Sequence, residues 1–412
     1  MPAPVMIIGG GLAAATTART LRREGYDGDV LVLCAEPHHP YERPPLSKDY
    51  LRGEADRSAL FHPSDAWYAD NDVEVRTGTA VAAIDPGAHR VTLADGSTAP
   101  YRRLVLATGS SPRALAVPGA DLRGVLTLRT VADADLLAAS MDAALRGGAG
   151  RLVVVGDGWI GTEVAASARA RGMDVTLLGR GAVPLARSVG DAVGAVYATL
   201  HRDHGVRLRP RSDVVRIVGT GQRVSGVELD RGDVVPADLV VVGIGAVPNV
   251  GLAAAAGIAT VPAGEGGGVA VDGRLQTSAP DVWAVGDIAA VPSPIWGRRI
   301  RVEHWATAMR TGPHAARAVL GADAPYARLP YFFSDQYDTS MEFAGFVDPR
   351  TAHDVVMSGD PAARTFAAFW TAGGVVHAGL TMNVPDRIGE IEALIAARKP
   401  VAEEVLRGFV AS

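Results

Sequence analysis

A glycine-rich turn that joins an apolar stretch to a helix-compatible stretch occurs twice in this sequence, and the repeat strongly restricts the fold. The first copy reads VMIIGGGLAA over residues 5–14, and the second reads RLVVVGDGWIG over residues 151–161. The small residues at the defining positions are Gly9, Gly11 and Ala14 in the first copy and Gly156, Gly158 and Gly161 in the second. They permit a tight turn, backbone approach to a pyrophosphate, and close packing of helix on strand, respectively. Two copies predict an α/β protein with two Rossmann-like dinucleotide-binding units.

The two copies differ where the strand after the helix ends. In the first copy the stretch DVLVLCAE ends in Glu36, where a carboxylate can accept hydrogen bonds from an adenosine ribose. In the second copy the stretch DVTLLGRG, residues 174–181, has Gly179 and Arg180 and no acid. For either copy taken separately, a plain strand-to-helix connection that binds nothing remains an open alternative.

Length and composition indicate a multidomain globular protein. At 412 residues the chain is too long for one ordinary core, and 48% hydrophobic with 21% charged residues is typical of soluble proteins. A net charge of −5 without a long basic run argues against a nucleic-acid surface. The N-terminal stretch lacks the basic region of a signal peptide, and no later apolar run approaches the roughly 18 residues of a membrane span. We therefore expect a soluble, cytoplasmic protein.

Cysteine and histidine usage excludes several redox and metal sites. Cys34 is the only cysteine, which excludes an intrachain disulfide, a Cys-x-x-Cys pair and a cysteine-ligated cluster. Its place inside an apolar strand predicts a buried core residue. The pairs His38–His39 and His201–His204 have no obvious third ligand, so we predict four surface histidines and no metal site.

Longer motifs are more specific than the glycine turns. The segment YERPPLSKDYL spans residues 41–51, and shorter motifs accompany it: LATGSSPR at 106–113, LRT at 128–130, GIGAVPN at 243–249, WAVGDIA at 283–289, RVEHWATA at 301–308 and SDQYD at 334–338. With these motifs, nearly the whole chain resembles the FAD-dependent ferredoxin reductases that serve bacterial cytochromes P450 and ring-hydroxylating dioxygenases. That family includes putidaredoxin reductase, rhodocoxin reductase and the reductase components of aromatic dioxygenases.

The resemblance implies an FAD-binding domain split around an inserted NAD(P)-binding domain, with a C-terminal α+β interface domain after them. The corresponding ranges are 1–112 with 247–323 for FAD, 113–246 for NAD(P) and 324–412 for the interface domain. The start of the last range is rich in aromatic residues, as in YFFSDQYDTSMEFAGF at 331–346.

The resemblance also implies roles for individual residues. Those expected at FAD are Gly9, Gly11, Ala14, Glu36, Arg43, Lys48, Val81, Ala107, Thr108, Gly109, Arg129, Asp287, Glu303, His304 and Trp305. Those expected at NAD(P) are Gly156, Gly158, Gly161, Gly179, Arg180, Arg187 and Gly245. Those expected to act in catalysis, where the nicotinamide meets the flavin, are Lys48, Glu163 and Trp159.

Plainer roles remain open for several of these residues. Lys48 can be a solvated cation, and Ser47 before it can cap a helix. Asp287 can cap an apolar helix that begins after it, and Glu163 can be a first-turn helix acid favoured by the helix dipole. Trp159 can pack without contacting a nicotinamide.

Gly179 and Arg180 bear on the choice of nicotinamide nucleotide. By the resemblance, members that prefer NADH carry a glutamate at the position of Gly179, where its carboxylate binds the 2′-hydroxyl. Glycine removes the repulsion that a carboxylate would exert on a 2′-phosphate, and Arg180 adds a cation that can pair with it. The sequence therefore favours NADPH over NADH, with both used to some degree.

The resemblance implies an enzyme that passes electrons from NAD(P)H through FAD, one at a time, to a small iron–sulfur ferredoxin. That ferredoxin would supply a cytochrome P450 or a ring-hydroxylating oxygenase. Alternatives are an AIF-like redox-sensing module, a rubredoxin reductase and an NADH oxidase-type enzyme. Because ferredoxins are acidic, candidates for the docking surface are Arg298, Arg299, Arg301 and Arg310. A solvated charged hairpin is the alternative for these arginines.

Overall fold

The computed structural model describes residues 3–148 and 150–411. The helices in these residues are α1 (Leu12–Arg23), α2 (Asp49–Arg52), α3 (Asp65–Asp70), α4 (Val131–Arg146), α5 (Trp159–Ala170), α6 (Ala186–Asp203), α7 (Gly251–Ala255), α8 (Trp305–Val319), α9 (Ile388–Ala397) and α10 (Glu403–Arg407). Single 3-10 turns lie at Pro44–Ser47, Arg57–Leu60, Ala263–Glu265 and Gly286–Ile288. Within the described ranges, no helix has both the length and the apolar character needed to cross a membrane.

The strands alternate with these helices along much of the chain. They are β1 (Val5–Ile8), β2 (Val30–Leu33), β3 (Val73–Arg76), β4 (Val81–Asp85), β5 (Arg90–Leu93), β6 (Thr98–Pro100), β7 (Arg103–Leu106), β8 (Ser110–Pro112), β9 (Val125–Leu126), β10 (Arg151–Val155), β11 (Asp174–Leu178), β12 (Arg207–Arg209), β13 (Val214–Thr220), β14 (Arg223–Leu229), β15 (Val234–Pro236), β16 (Leu239–Val242), β17 (Ala246–Pro248), β18 (Val269–Ala270), β19 (Val282–Ala284), β20 (Ala289–Ser293), β21 (Arg298–Ile300), β22 (Tyr331–Gln336), β23 (Thr339–Gly345), β24 (Asp354–Asp360), β25 (Thr365–Ala372) and β26 (Val375–Met382).

The first of two compact units contains the first glycine turn. It consists of the chain up to Arg43, Arg57–Ser111 and Val247–Tyr331. Its main sheet is parallel, in the order β19-β7-β1-β2-β3. β1 and β2 are buried along their whole length, as in parallel sheets that are covered on both faces. Ile8 pairs with Leu33, so both strands end side by side.

Helices α1 and α8 of this unit pack closely against each other. A Cβ at Gly312 would lie 2.2 Å from Thr16 Oγ1 and 2.7 Å from the carbonyl oxygen of Ala13. Only glycine therefore lets α8 approach α1 this closely. Thr16 Oγ1 also donates a hydrogen bond to the carbonyl oxygen of Ala308 at 3.1 Å. The contact fixes the first turns of α1 against the first half of α8.

The second compact unit repeats this arrangement around the second glycine turn. It consists of Pro44–Asp56, Pro112–Ala246 and the chain from Phe332 onwards. Its parallel sheet has the order β12-β11-β10-β16-β9, in which β10, β11, β12 and β16 take the places of β1, β2, β3 and β7 in the first sheet. Val155 pairs with Leu178, as Ile8 pairs with Leu33 in the first unit. The predicted internal repeat is confirmed.

The C-terminal part of the chain forms a different layer. An antiparallel sheet in the order β22-β23-β26-β25-β24 precedes α9 and α10. Its buried side chains, among them Phe343, Phe366 and Trp370, form a core with the apolar face of α6. The predicted fold class, two Rossmann-like units with a C-terminal α+β region, is confirmed. The domain boundaries given by the resemblance stay a prediction.

Candidate functional site

The first glycine turn leaves open space beside Gly11, at the start of α1. Gly9 has a φ of +137°, and a Cβ there would lie 2.1 Å from the carbonyl oxygen of Ala107. Ala14 is buried at the start of α1. At Gly11, by contrast, a Cβ would meet no atom within 4 Å among the described residues, so packing does not require glycine there. α1 begins directly after Gly11 with no acidic residue in its first turn, which suits an anion at its N–H groups.

Glu36 lies beyond the end of β2 and holds two neighbouring side chains. Tyr41 Oη donates to Glu36 Oε2 at 2.5 Å, and Arg43 Nη2 donates to Oε1 at 2.7 Å. Burial lowers the pKa of Arg43, but Tyr41 and Glu36 outweigh it, so the net shift of that pKa is upward. A carboxylate offers further lone pairs. Glu36 can therefore still accept hydrogen bonds from ribose hydroxyls.

Asp287 lies in the 3-10 turn Gly286–Ile288, and strand β20 follows it. The prediction that an apolar helix begins after Asp287 is wrong, because the apolar residues there pair with β18 and β21 as a strand. Ser110 Oγ donates to Asp287 Oδ2 at 2.6 Å. Arg301 Nη1 donates to the backbone carbonyl of Asp287 at 3.1 Å and so supports the turn.

The helix predicted from the Glu-His-Trp segment is present: α8 begins at Trp305, with His304 in the capping position. Burial lowers the pKa of His304 to about 4, against the smaller opposing effect of Asp287. Its ring is therefore neutral at pH 7. Trp305 Nε1 donates to Glu42 Oε2 at 3.1 Å, whereas Glu303 is exposed and pairs with Arg301. No acidic residue lies in the first turn of α8, so this N-terminus also suits an anion.

The second glycine turn has the same geometry as the first. Gly156 has a φ of +109°, and a Cβ there would lie 2.3 Å from the carbonyl oxygen of Gly243. A Cβ at Gly161 would lie 1.9 Å from the carbonyl oxygen of Gly156, so glycine is needed for the helix to pack. At Gly158, as at Gly11, no described atom lies within 4 Å of the Cβ position. Both turns therefore expose backbone toward space that the protein does not fill.

The end of β11 is occupied by a side chain from the turn itself. A Cβ at Gly179 would lie 1.9 Å from Asp157 Oδ2. Arg180 is 84% exposed and pairs with Asp213 at 2.5 Å, and Arg187 near the start of α6 is exposed. Asp157 was not among the residues predicted for the nucleotide site, although an acidic side chain within the glycine motif was a signal present in the sequence.

Lys48 and Glu163 form a buried ion pair within the second unit. Lys48 Nζ lies 2.8 Å from Glu163 Oε2, and the side chains are 11% and 5% exposed. Ser47 Oγ donates to Glu163 Oε2 at 2.5 Å, and Ser334 Oγ donates to Oε1 at 2.7 Å. Neither plainer role applies: Lys48 is not solvated, and Glu163 lies beyond the first turn of α5. Nor does Ser47 cap α2.

A chain of buried hydrogen bonds leads away from this pair. Gln336 Nε2 donates to Ser334 Oγ at 3.1 Å and to Thr162 Oγ1 at 3.0 Å, and Gln336 Oε1 lies 3.0 Å from His201 Nε2. Tyr337 Oη lies 3.2 Å from His201 Nδ1. The prediction of a surface His201 is wrong: the ring is fully buried, and burial lowers its pKa to about 4. The SDQYD motif contains Ser334 and Gln336, so the signal for both was present in the sequence.

Aromatic side chains surround Trp159 at the start of α5. Its ring lies edge-on to Phe332 at 4.9 Å and to Tyr197 at 5.7 Å. Lys48 Nζ lies 5.6 Å from the centre of the neighbouring Phe333 ring. The packing role of Trp159 is thus present, and a role at the nicotinamide stays a prediction.

The remaining predicted residues divide between the units. Ala107, Thr108 and Gly109 follow β7 in the first unit, where Thr108 Oγ1 donates to the carbonyl oxygen of Asn249 at 2.8 Å. Val81 begins β4 in the same unit. In the second unit are Arg129, whose backbone N–H donates to Asp133 Oδ2 at 3.0 Å, and Gly245, which has a φ of +105°.

Cys34 is confirmed as a core residue, although it follows β2 instead of lying in it. Burial, with a smaller effect of Glu36, raises the pKa of its thiol to about 12. At pH 8 only roughly one thiol in 10,000 is then ionised, and the thiolate is the reactive form.

We therefore expect native protein not to react with 5,5′-dithiobis(2-nitrobenzoic acid) at pH 8, while urea-unfolded protein releases one equivalent of thionitrobenzoate. Absorbance at 412 nm measures both reactions. A native rate close to the unfolded rate would contradict a buried thiol.

Among residues 3–148 and 150–411, no three histidine, cysteine, aspartate or glutamate side chains are grouped so that they could hold a metal ion.

Two Rossmann-like units with matching open turns define the class of this protein, an FAD-dependent oxidoreductase that uses a nicotinamide nucleotide. Residues 3–312 match the model of the pyridine nucleotide-disulphide oxidoreductases, and residues 331–408 match the model named reductase C-terminal. The chain belongs to the pyridine nucleotide-disulphide oxidoreductase family, and within it to the ferredoxin reductases.

Relatives match over almost the whole chain. Rhodocoxin reductase of Rhodococcus erythropolis is 36% identical, with 97% of this chain and 91% of the relative covered. The anthranilate 1,2-dioxygenase system ferredoxin–NAD(+) reductase component of Burkholderia cepacia is 40% identical, with 96% and 94% covered. The solved covalent complex of putidaredoxin reductase with putidaredoxin has a chain with a TM-score of 0.91 at 34% identity, covering 99% of this chain and 98% of that one.

Proposed function

We propose that this protein takes electrons from NAD(P)H through FAD and delivers them singly to a small iron–sulfur ferredoxin. That ferredoxin supplies a cytochrome P450 or a ring-hydroxylating oxygenase. The names of the relatives and the solved complex of one such reductase with its redox partner support this partner class. The cytoplasmic location predicted from the sequence belongs to the same proposal.

The single observation that carries the proposal is the state of Cys34. A disulfide reductase of this fold passes electrons through a reactive cysteine pair, and this chain has one cysteine. That cysteine is buried, and the pKa of its thiol is raised to about 12. Electrons that reach FAD therefore have no thiol exit within the chain. The electron acceptor must therefore come from outside the chain, and a ferredoxin is the acceptor that the relatives' names support.

Residues of the first unit fit FAD. We assign the pyrophosphate to the N-terminus of α1, because Gly11 leaves open space beside its free N–H groups. Glu36 is assigned to the adenosine ribose and Asp287 to the ribityl hydroxyls, since both present carboxylate oxygens held by neighbours. The N-terminus of α8, with neutral His304, is assigned to the flavin pyrimidine edge.

The second unit supplies the nicotinamide nucleotide site and a fixed cation. When bound, FAD would supply the redox chemistry by which two electrons that arrive as a hydride leave one at a time. The glycine turn before α5 is assigned to the pyrophosphate of NAD(P)H. Glu163 holds the Lys48 ammonium in one position, with two serine hydroxyls completing the carboxylate's hydrogen bonds. The role of this ammonium at the flavin stays a prediction of the family resemblance.

Purified protein tests the proposal directly. We expect a yellow protein that reduces ferricyanide with NAD(P)H, and whose reduction of cytochrome c rises at least about tenfold when a [2Fe–2S] ferredoxin is added. Oxygen consumption without ferredoxin, at a rate equal to the ferricyanide rate, would instead favour the NADH oxidase-type alternative. Slow turnover with every acceptor would favour an AIF-like module.

The candidate docking arginines differ in how exposed their side chains are. Arg301 is 13% exposed and bonds backbone carbonyls of Gly266 and Asp287, and Arg310 bonds the carbonyl oxygen of Leu329. Arg299 on β21 is exposed, although it donates to the carbonyl oxygen of Ala290 at 3.2 Å, and Arg298 beside it is half-buried and donates to that of Glu265 at 3.3 Å. Because Arg299 is the exposed member of this set, we propose the hairpin pair Arg298 and Arg299 as the part of it that meets an acidic ferredoxin.

Reversing both charges, Arg298→Glu/Arg299→Glu, is expected to slow ferredoxin-dependent cytochrome c reduction about tenfold at low salt. Ferricyanide reduction is expected to stay within about twofold of wild type, because ferricyanide needs no protein docking. Arg90→Glu/Arg102→Glu is the matched control, since both side chains are exposed in the same unit. Equal losses with both acceptors, or an equal loss in the control, would remove the hairpin from the docking surface.

A further inference from the structure

The space between the glycine turn and the end of the following strand holds one side chain in each half of the internal repeat. In the first unit a Cβ at Gly10 would lie 3.1 Å from Cys34 Cβ and 3.2 Å from its Sγ, so the strand end fills the space. In the second unit the equivalent positions are Asp157 and Gly179, because Val155 pairs with Leu178 as Ile8 pairs with Leu33. There the turn fills the space, and the strand end carries no side chain.

Glycine at position 179 is required because the Asp157 side chain occupies the space there, and not because of backbone conformation. Gly179 does not have a positive φ, so its backbone would accept any side chain. A Cβ there would nevertheless lie 1.9 Å from Oδ2, 2.4 Å from Cγ and 2.9 Å from Cβ of Asp157. The carboxylate of Asp157 thus lies where a side chain at the end of β11 would begin.

That position has a defined chemistry in dinucleotide sites. A carboxylate at the end of the second strand hydrogen-bonds the 2′-hydroxyl of the adenosine ribose in NAD, and an arginine nearby accommodates the 2′-phosphate of NADP. The absence of an acid from the strand end was the reason to expect NADPH. In the structure a carboxylate does occupy this place, but it belongs to Asp157 in the glycine turn.

We propose that Asp157 is the residue that selects NADH over NADPH, by accepting a hydrogen bond from the 2′-hydroxyl and repelling a 2′-phosphate. This inference rests on the proposed function of the second unit as the nicotinamide nucleotide site. It reverses the preference predicted from Gly179 and Arg180.

The competing arginines are placed less favourably than Asp157. Arg180 is 84% exposed and already pairs with Asp213, so solvent screens its charge. Arg187 is exposed on α6, and its charge acts on the Asp157 carboxylate. Burial of Asp157 raises the pKa of its carboxyl group, and Arg187 opposes that rise. A 2′-phosphate at the end of β11 would therefore lie beside the Asp157 carboxylate, with neither guanidinium fixed there to neutralise it.

Steady-state reduction of ferricyanide with NADH and NADPH tests the assignment without any ferredoxin. We expect wild type to prefer NADH by at least about tenfold in kcat/KM, which corresponds to one charged contact. Asp157→Asn is expected to raise kcat/KM for NADPH about tenfold and to lower that for NADH about threefold to tenfold. Both changes should fall on KM, with kcat at saturating nucleotide within about twofold of wild type.

Two further variants separate this proposal from general damage. Asp157→Gly/Gly179→Glu moves the carboxylate to the strand end and is expected to keep the NADH preference. Arg180→Ala is expected to change the NADH-to-NADPH ratio less than about threefold, because the charge it removes is exposed. A wild-type preference for NADPH, or a ratio unchanged by Asp157→Asn, would overturn the proposal. Ferricyanide turnover with either nucleotide would still leave the flavoprotein function standing.

Discussion

Replacing Glu163 with alanine is expected to lower the free energy of unfolding by about 3–5 kcal/mol, the usual range when one partner of a buried ion pair is removed. Lys48 is 11% exposed and pairs with Glu163 at 2.8 Å. Without the carboxylate, its ammonium remains in a poorly solvated site, and the hydroxyls of Ser47 and Ser334 lose their acceptor. Urea unfolding of the holoprotein, followed by tryptophan fluorescence, measures the change.

A double substitution distinguishes a buried pair from a general packing loss. Lys48→Met/Glu163→Gln leaves no charge in the site, so it is expected to be less destabilised than the sum of the two single variants by at least about 2 kcal/mol. The matched control is Glu228→Ala, because Glu228 pairs with Arg216 on the surface of the same unit, at 26% and 56% exposure. We expect less than about 1 kcal/mol there. Additive effects at Lys48 and Glu163 would show that solvent already screens the pair.

Most of the features that the sequence predicted correctly are encoded by contiguous stretches of residues. The glycine turns, their strands and the helix that begins at Trp305 are local patterns, and the structure has them where the patterns predicted. The prediction of a helix after Asp287 was wrong because a short apolar run fits a strand as well as a helix. Pairing of this segment with β18 and β21 makes it a strand, and β18 (Val269–Ala270) lies well before it in the sequence.

Contacts between residues that are distant in sequence account for the other differences between the predictions and the structure. His201 is buried because it bonds Gln336, which lies 135 residues away, and neither neighbourhood alone indicates this. The exchange of side chains between Asp157 and Gly179 depends on how two strands end beside one turn. Roles for Lys48 and Glu163 were expected only through the family resemblance, and nothing in their spacing indicates the contact between them.

Replacing Gly11 with alanine is expected to give a protein that folds but loses FAD, with affinity lower by at least about 100-fold. A Cβ at Gly11 meets no described protein atom within 4 Å, so alanine causes no internal clash. It would stand in the space assigned to the pyrophosphate, where backbone must approach the ligand closely. Absorbance near 450 nm per polypeptide after gel filtration measures retained flavin, and titration of apoprotein with FAD measures affinity.

Two other glycines make this result specific to the ligand. Gly251→Ala is the control within the same unit, because its Cβ position is also open and its φ is not positive; it is expected to retain FAD fully. Gly158→Ala places the same methyl group at the equivalent helix start of the second unit. There we expect FAD to be retained and KM for the nicotinamide nucleotide to rise at least about tenfold. A yellow Gly11→Ala protein with wild-type affinity would contradict the assignment of the first turn to FAD. Loss of flavin in Gly158→Ala would mean that the two turns do not divide the two nucleotides as we propose.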